Sequence, residues 1–141
     1  MTNDELEGRL KILGFRSIGE GKFFKDYPPM SFCTVKAVDG RVFSEDGKKE
    51  PVLFSFCSIG IYDSTDFFAE SFKGCKKRFE RDMETLLSGK RMIGKEDLMG
   101  LDDPSLNAIY ANADGKYCEQ TSQTAGDIQD ERAKASGLLL G

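Results

Sequence analysis

The first thirty residues show a helical pattern followed by a strand-like one. Thr2-Asn-Asp-Glu5 has the form of a capping box, in which two side chains satisfy the first free amides of a helix. Apolar positions then recur at helical spacing, at Leu6, Leu10 and Leu13. These signals predict a short amphipathic helix over 3–13. Residues 15–27, divided by Gly19-Glu-Gly21, predict a short hairpin at a sheet edge, which ends before two prolines because proline cannot donate to a sheet.

The next stretch predicts the body of a sheet. Residues 30–38 alternate between two faces, as a strand does. Asp39-Gly40 follows and supplies the two residues with positive φ that a type I′ turn requires, so residues 41–44 should return as the partner strand. After a charged loop comes the most apolar run of the chain, 51–62, which is rich in aromatic and β-branched residues. We expect this run to be the central strand of an antiparallel meander.

A long helical pattern over 65–88 follows the apolar run. Its apolar positions recur at steps of three and four and end just before Gly89, at Phe68, Phe72, Cys75, Phe79, Met83, Leu86 and Leu87. The predicted fold is therefore α+β, in which an antiparallel sheet of three to five strands packs against one long amphipathic helix. A short N-terminal helix and an extended or weakly helical C-terminal tail complete it.

The C-terminal third is more polar, and we expect a core domain over 1–100 and an extension or tail over 101–141. Its last apolar cluster is a candidate for assembly contacts, at Leu138, Leu139 and Leu140. Burying each leucine contributes roughly 1.5–3 kcal/mol, whereas ordering each backbone residue costs about 1–2 kcal/mol. Order in 114–141 therefore requires a surface that is already folded. We expect a neighbouring subunit or partner, with the chain's own sheet as the alternative.

Composition argues against most catalytic chemistry. The chain has no histidine, which removes the usual general base and the commonest metal ligand. Its four cysteines form no CxxC pair, and no phosphate-binding, dinucleotide-binding or calcium-binding loop is present, so we expect no enzyme activity, no cofactor and no metal site. No apolar run reaches the length of a membrane span. We expect a protein that acts inside the cell or in a virion, with reduced thiols.

A basic surface on the long helix is the clearest candidate for binding an anion or a partner. The cations are Lys73, Lys76, Lys77, Arg78 and Arg81, followed by Lys90 and Arg91. The alternative is an ordinary solvated face, because acidic residues stand at pairing distance, at Glu70, Glu80, Asp82 and Glu84. The net charge of −4 means that any contact with nucleic acid would have to be local.

These observations favour a non-catalytic binding or assembly protein that acts through protein–protein contacts. Examples are a component of a larger particle such as a virion, or a viral accessory protein. A protein partner or a homo-oligomer is the expected assembly. The alternative is a nucleic-acid-binding or nucleotide-binding module that uses the basic helix face 73–91.

Overall fold

The computed structural model describes residues 1–55 and 65–140. For 65–68 and 138–140 it describes the backbone but not the side chains. It has the α+β fold that the sequence predicts, with a short N-terminal helix, an antiparallel sheet and one long helix after it. In chain order the elements are α1 (Asn3–Ile12), β1 (Arg16–Gly19), β2 (Lys22–Tyr27), β3 (Ser31–Val38), β4 (Arg41–Ser44), β5 (Phe54–Ser55), α2 (Thr65–Leu87), α3 (Lys95–Met99), α4 (Asp103–Ala111) and α5 (Glu119–Leu140).

The central strand of the sheet is β3, so the prediction of a central strand over 51–62 was wrong for 51–55, the part of it that the structure describes. β3 pairs with β2 on one side and with β4 and β5 on the other, always antiparallel. Residues 51–53 lie outside any strand, β5 is only two residues long, and 56–62 lie outside the described residues. A physical reason is that tight connections bring β2 and β4 beside β3, whereas 51–62 follows a longer charged loop.

The local signals of the N-terminal region are confirmed. The Thr2 side chain accepts a hydrogen bond of 3.1 Å from the backbone N–H of Glu5, as an N-cap should. Leu6 and Leu10 within α1 are buried, and so is Leu13, which caps the C-terminal end of the helix. Asp39 and Gly40 have φ of 52° and 75°. These two residues therefore form the tight turn between β3 and β4 that the sequence predicts.

The turn at Gly40 also packs closely against the N-terminal residues of the chain. Gly40 donates to the Asn3 side chain at 3.2 Å, and a Cβ at Gly40 would lie 1.9 Å from the carbonyl oxygen of Met1. We expect Gly40→Ala to lower the free energy of unfolding by about 2 kcal/mol, because positive φ and the close approach both oppose a side chain. Urea denaturation followed by circular dichroism measures this.

Gly19→Ala is the matched control for Gly40→Ala. Gly19 also has positive φ, at 95°, but nothing lies within 4 Å of the position its Cβ would take. The loss at Gly19 should therefore be clearly the smaller of the two. Equal losses would show that contact with the N-terminus contributes nothing at Gly40.

The apolar stripe of α2 and the leucines of α1 contribute to one core. That core contains Leu6, Leu10, Phe23, Tyr27, Cys33, Val35, Cys75 and Leu86. Of the predicted stripe, Phe72, Phe79 and Met83 are half-buried, while Leu87 is 71% exposed at the last position of the helix. The side chain of Phe68 lies outside the described residues. The long helix therefore covers the sheet with the face that its periodicity predicts.

The chain groups into two compact units, Met1–Leu87 and Ser88–Gly141. The sequence predicted a division after residue 100, whereas the contacts place α3 in the second unit, with α4 and α5. The core of this unit lies among its three helices, at Leu98, Leu106, Ile109, Ala125 and Ile128.

The expectation that another subunit orders 114–141 is not supported, because α5 packs on α3 and α4 of its own chain. Residues 119–140 of this segment form α5, a helix of 22 residues, so the helical of the two predicted alternatives is the one observed. Within this unit α5 buries Thr121, Ala125 and Ile128. Arg132 adds contacts within the unit by donating to the carbonyl oxygens of Met99 and Leu101, both at 2.9 Å.

Candidate functional site

The sheet face opposite the buried core, here called the outer face, carries both aromatic and basic side chains. Along β2 and β3 the odd-numbered positions Phe23, Tyr27, Cys33 and Val35 are buried in the core, so the even-numbered positions point the other way. Cross-strand pairing extends this face to β1, β4 and β5. Most of its members are partly or fully exposed, whereas Thr34 is 5% exposed. By cross-strand register the members are Arg16, Lys22, Phe24, Asp26, Phe32, Thr34, Lys36, Val38, Arg41, Phe43 and Phe54.

Three phenyl rings form a row across the outer face. The rings of Phe24 and Phe32 have centroids 5.8 Å apart with planes 26° apart, and those of Phe32 and Phe54 lie 5.4 Å apart at 21°. The Arg16 guanidinium lies 4.9 Å from the centroid of Phe24 and extends the row. Phe54 is 42% exposed, so one end of the row is open to solvent. The row, named here the Phe24–Phe54 row, presents aromatic and guanidinium surfaces to which another planar group can stack.

Two lysines lie beside this row. Lys22 and Lys36 are direct cross-strand partners on β2 and β3, and both are half-buried. The ion pairs found in the described part of the chain involve neither of them. Val38, at the end of the same strand, is 38% exposed. The outer face thus combines apolar surface with positive charge.

A groove of about 490 Å³ borders the exposed end of the Phe24–Phe54 row. It is lined by Lys22, Val52 and Phe54 and by the β4–β5 loop, through residues 44–46, 49 and 50. Within that loop the Asp46 carboxylate accepts from the Ser44 hydroxyl and from the Lys48 N–H, and these contacts hold the pKa of Asp46 below its usual range. This volume lies within the range of pockets that hold small ligands.

The opposite, buried face holds a polar cluster of Lys25, Tyr27 and Asp82. One Asp82 carboxylate oxygen accepts from the Tyr27 hydroxyl and from the Lys25 ammonium, each at 2.6 Å. Lys25 also donates to the carbonyl oxygen of Leu13 at 2.5 Å. Tyr27 is 1% exposed, so a substrate does not reach its hydroxyl. The cluster joins α2, β2 and the end of α1, and its role is structural.

The predicted basic surface divides between the two units. Lys73, Lys76, Lys77, Arg78 and Arg81 are exposed on α2. The Arg78 guanidinium donates to the carbonyl oxygen of Pro28, so part of its hydrogen-bonding capacity is used within the chain. On a helix of 3.6 residues per turn, Glu80 and Glu84 fall among the remaining cations, which makes this surface mixed in charge. A binding role for it stays a prediction.

Lys90 and Arg91 are not on the helix, because α2 ends at Leu87. Arg91 lies in the second unit, where its guanidinium is 5.5 Å from the ring centroid of Tyr117 and its backbone pairs with that residue. The three candidate assembly residues Leu138, Leu139 and Leu140 belong to the last turn of α5, and their side chains lie outside the described residues. Their role in assembly stays a prediction.

Within the described ranges, 1–55 and 65–140, no group of three or more Cys, Asp or Glu side chains is placed to hold a metal ion. None of the helices described there is long and apolar enough to cross a membrane. Comparisons of this chain with models of protein families, with curated proteins and with solved structures found no match.

Sequence reasoning missed the outer face as a site. The alternation along 30–38 separates Phe32 and Lys36 from the core positions, and the same period applies to Lys22 and Phe24 in the preceding strand. That pattern is a signal for an aromatic and basic face, but it does not show that the rings meet. Contact between Phe32 and Phe54 depends on the pairing of β3 with β5, which the sequence does not specify.

Proposed function

We propose that this protein is a non-catalytic binding protein that holds single-stranded nucleic acid on its outer face. The observation that carries the proposal is the Phe24–Phe54 row with Arg16, Lys22 and Lys36 around it. Proteins that bind single strands combine aromatic side chains, on which bases stack, with cations that contact the phosphates. Sheets that present two or three such aromatic residues are a common form of this arrangement in RNA-binding modules.

The lysines favour a nucleic acid over a protein partner on this face. Aromatic residues and arginine are enriched at protein–protein interfaces as well, but lysine is depleted there. Two half-buried lysines beside the phenyl rings match a polyanion better than they match an apolar protein surface. The net charge of −4 opposes long-range attraction of a polyanion, so we expect moderate affinity that depends on these local contacts.

The proposal moves the expected nucleic-acid surface from the helix to the sheet. On α2 the cations are interspersed with Glu80 and Glu84, and among the side chains described there, 69–87, no aromatic row accompanies them. On the outer face Arg16 is the cross-strand partner of Phe24, and Lys22 and Lys36 are partners of each other, while the exposed Asp26 is the acidic partner of Phe32. Protein–protein assembly, the class that the sequence alone favoured, rested on the C-terminal segment, and the packing of α5 within its own unit removes that support.

Replacement of Phe54 by alanine tests the proposal. Phe54 is 42% exposed, so Phe54→Ala should leave the fold intact while removing the accessible end of the Phe24–Phe54 row. We expect it to weaken binding of a fluorescent single-stranded oligonucleotide by about 1–3 kcal/mol, the contribution of one stacked base. Fluorescence anisotropy measures the affinity, with circular dichroism as the check on folding. Phe54→Tyr should retain most of the binding, because it keeps the ring.

Two control variants make this result specific. Tyr110→Ala removes a similarly exposed aromatic side chain, 54% exposed, from the second unit and should leave the affinity unchanged. Lys76→Glu with Lys77→Glu reverses two charges on α2 and should weaken binding strongly only where the helix is the binding surface. A wild-type protein that binds no oligonucleotide but forms oligomers that Phe54→Ala dissociates would contradict the proposal and favour assembly through this face.

A further inference from the structure

The cross-strand pair Lys22 and Lys36 is electrostatically unfavourable as it stands. The two residues face each other directly in the β2–β3 register, on the same side of the sheet. Like charges at directly opposed positions destabilise a sheet. In the described part of the chain the ion pairs are Lys25–Asp82, Lys116–Asp114 and Arg132–Asp103, so neither lysine has an acidic partner there. An anion between the two ammonium groups would remove this repulsion.

The surroundings of the pair indicate which anion fits. Lys22 also lines the groove of about 490 Å³, together with Phe54, Val52 and residues of the β4–β5 loop. Lys49 is the second cation that lines the groove, while Glu45, Asp46 and Glu50 add three carboxylates from the loop. An anionic group is therefore favoured beside Lys22 and disfavoured beside these carboxylates. A planar group with hydrogen-bond donors suits the remainder of the groove.

A nucleotide meets both requirements in one molecule. Its phosphate is an anion that two ammonium groups can contact, and its base is a planar group that stacks on phenyl rings. Bases with exocyclic amino groups also donate hydrogen bonds to carboxylates. We infer that Lys22 and Lys36 together hold one phosphate group of a bound nucleotide strand, and that the base of this nucleotide enters the groove beside Phe54. This inference rests on the proposed function, since it assigns the position of one nucleotide on the same face.

The salt dependence of binding tests the assignment. Each phosphate contacted on a single strand adds about 0.7 to the slope of log affinity against log salt. Lys22→Gln with Lys36→Gln should reduce the magnitude of that slope by about 0.7 and weaken binding at low salt on the order of tenfold, the size expected for charged hydrogen bonds. Lys76→Gln with Lys77→Gln removes the same charge from α2 and should leave the slope close to that of the wild type.

Two outcomes of this experiment overturn the assignment while the proposed function stands. In one, the oligonucleotide binds and the Lys22 and Lys36 variant keeps the wild-type slope. In the other, both double variants lose the same amount, which would show a general effect of net charge. A fall in slope confined to the sheet variant supports the assignment.

Small anions separate a free-phosphate site from a nucleotide site. Inorganic phosphate and adenosine monophosphate are titrated into isotope-labelled protein, and NMR shifts of the Lys22, Lys36 and Phe54 signals are followed. The inference predicts lysine shifts with both anions, and Phe54 shifts with the nucleotide alone. Should the wild type bind no oligonucleotide, the proposed function fails, and this titration still decides the phosphate position. Lysine signals that move with neither anion would overturn it.

Discussion

Replacement of Asp82 by alanine should lower the free energy of unfolding by about 3 kcal/mol, because a half-buried charge would lose its partner. The Asp82 carboxylate accepts from both Lys25 and Tyr27 at 2.6 Å, and the two side chains of the ion pair are only 23% and 14% exposed. Without the Asp82 carboxylate, the Tyr27 hydroxyl is also left in the core without an acceptor, which adds a desolvation cost. Urea denaturation followed by circular dichroism at neutral pH measures the loss.

Two further variants distinguish the contacts of Asp82 from its charge alone. Asp82→Asn keeps an oxygen that can accept from Tyr27 but removes the charge that pairs with Lys25, so its loss should be intermediate. Glu80→Ala removes an exposed acidic residue from the same helix and should have little effect. A loss for Asp82→Ala no larger than that for Glu80→Ala would show that the cluster does not hold α2 on the sheet.

The protein should lose stability steeply above pH 9, because two buried groups in its core resist ionisation. Burial, and then the nearby charge of Asp82, raises the pKa of the Cys33 thiol from its ordinary 9.0 to about 12. Burial also raises the pKa of Tyr27 well above its ordinary value of 10.0, with further contributions from the hydrogen bond to Asp82 and from its charge. The positive charge of Arg78 acts in the opposite direction.

The sign of this effect follows from proton binding. In the unfolded chain Cys33 loses its proton near pH 9 and Tyr27 near pH 10, whereas both remain protonated in the folded protein. The folded state therefore binds more protons in this range, so stability falls as the pH rises. The stabilisation of the folded state that comes from the raised pKa of Cys33 is fully present below pH 9 and is lost progressively as the pH approaches 12.

Urea denaturation at intervals between pH 7.5 and 10.5 measures this decline. Tyr27→Phe and Cys33→Ala each remove one of the two groups, and each should be less stable than the wild type at neutral pH but should show a shallower decline. Tyr110→Phe is the control, because Tyr110 is exposed and should leave the decline unchanged. Identical pH profiles for the wild type and both core variants would contradict the assignment to Tyr27 and Cys33.

The features that the sequence by itself determined are local ones. The N-cap at Thr2, the turn at Asp39-Gly40 and the apolar period of α2 each depend on residues close together in the chain, and each is present in the structure. Such signals are reliable because hydrogen bonds, positive φ and helical spacing act over a few residues. They were sufficient to establish an α+β fold with an antiparallel sheet.

The tertiary structure alone decided which distant residues meet. The pairing of β3 with β5 brings Phe54 to Phe32, and the packing of α2 brings Asp82 to Lys25, 57 residues away in sequence. The helix α5 likewise depends on small residues such as Ala125 that fit against α3 and α4. The amino-acid composition does not predict how much these contacts stabilise the fold, because their free energy comes from close packing with partners that are distant in sequence. The candidate site is of this kind, since its three phenyl rings come from three separate strands.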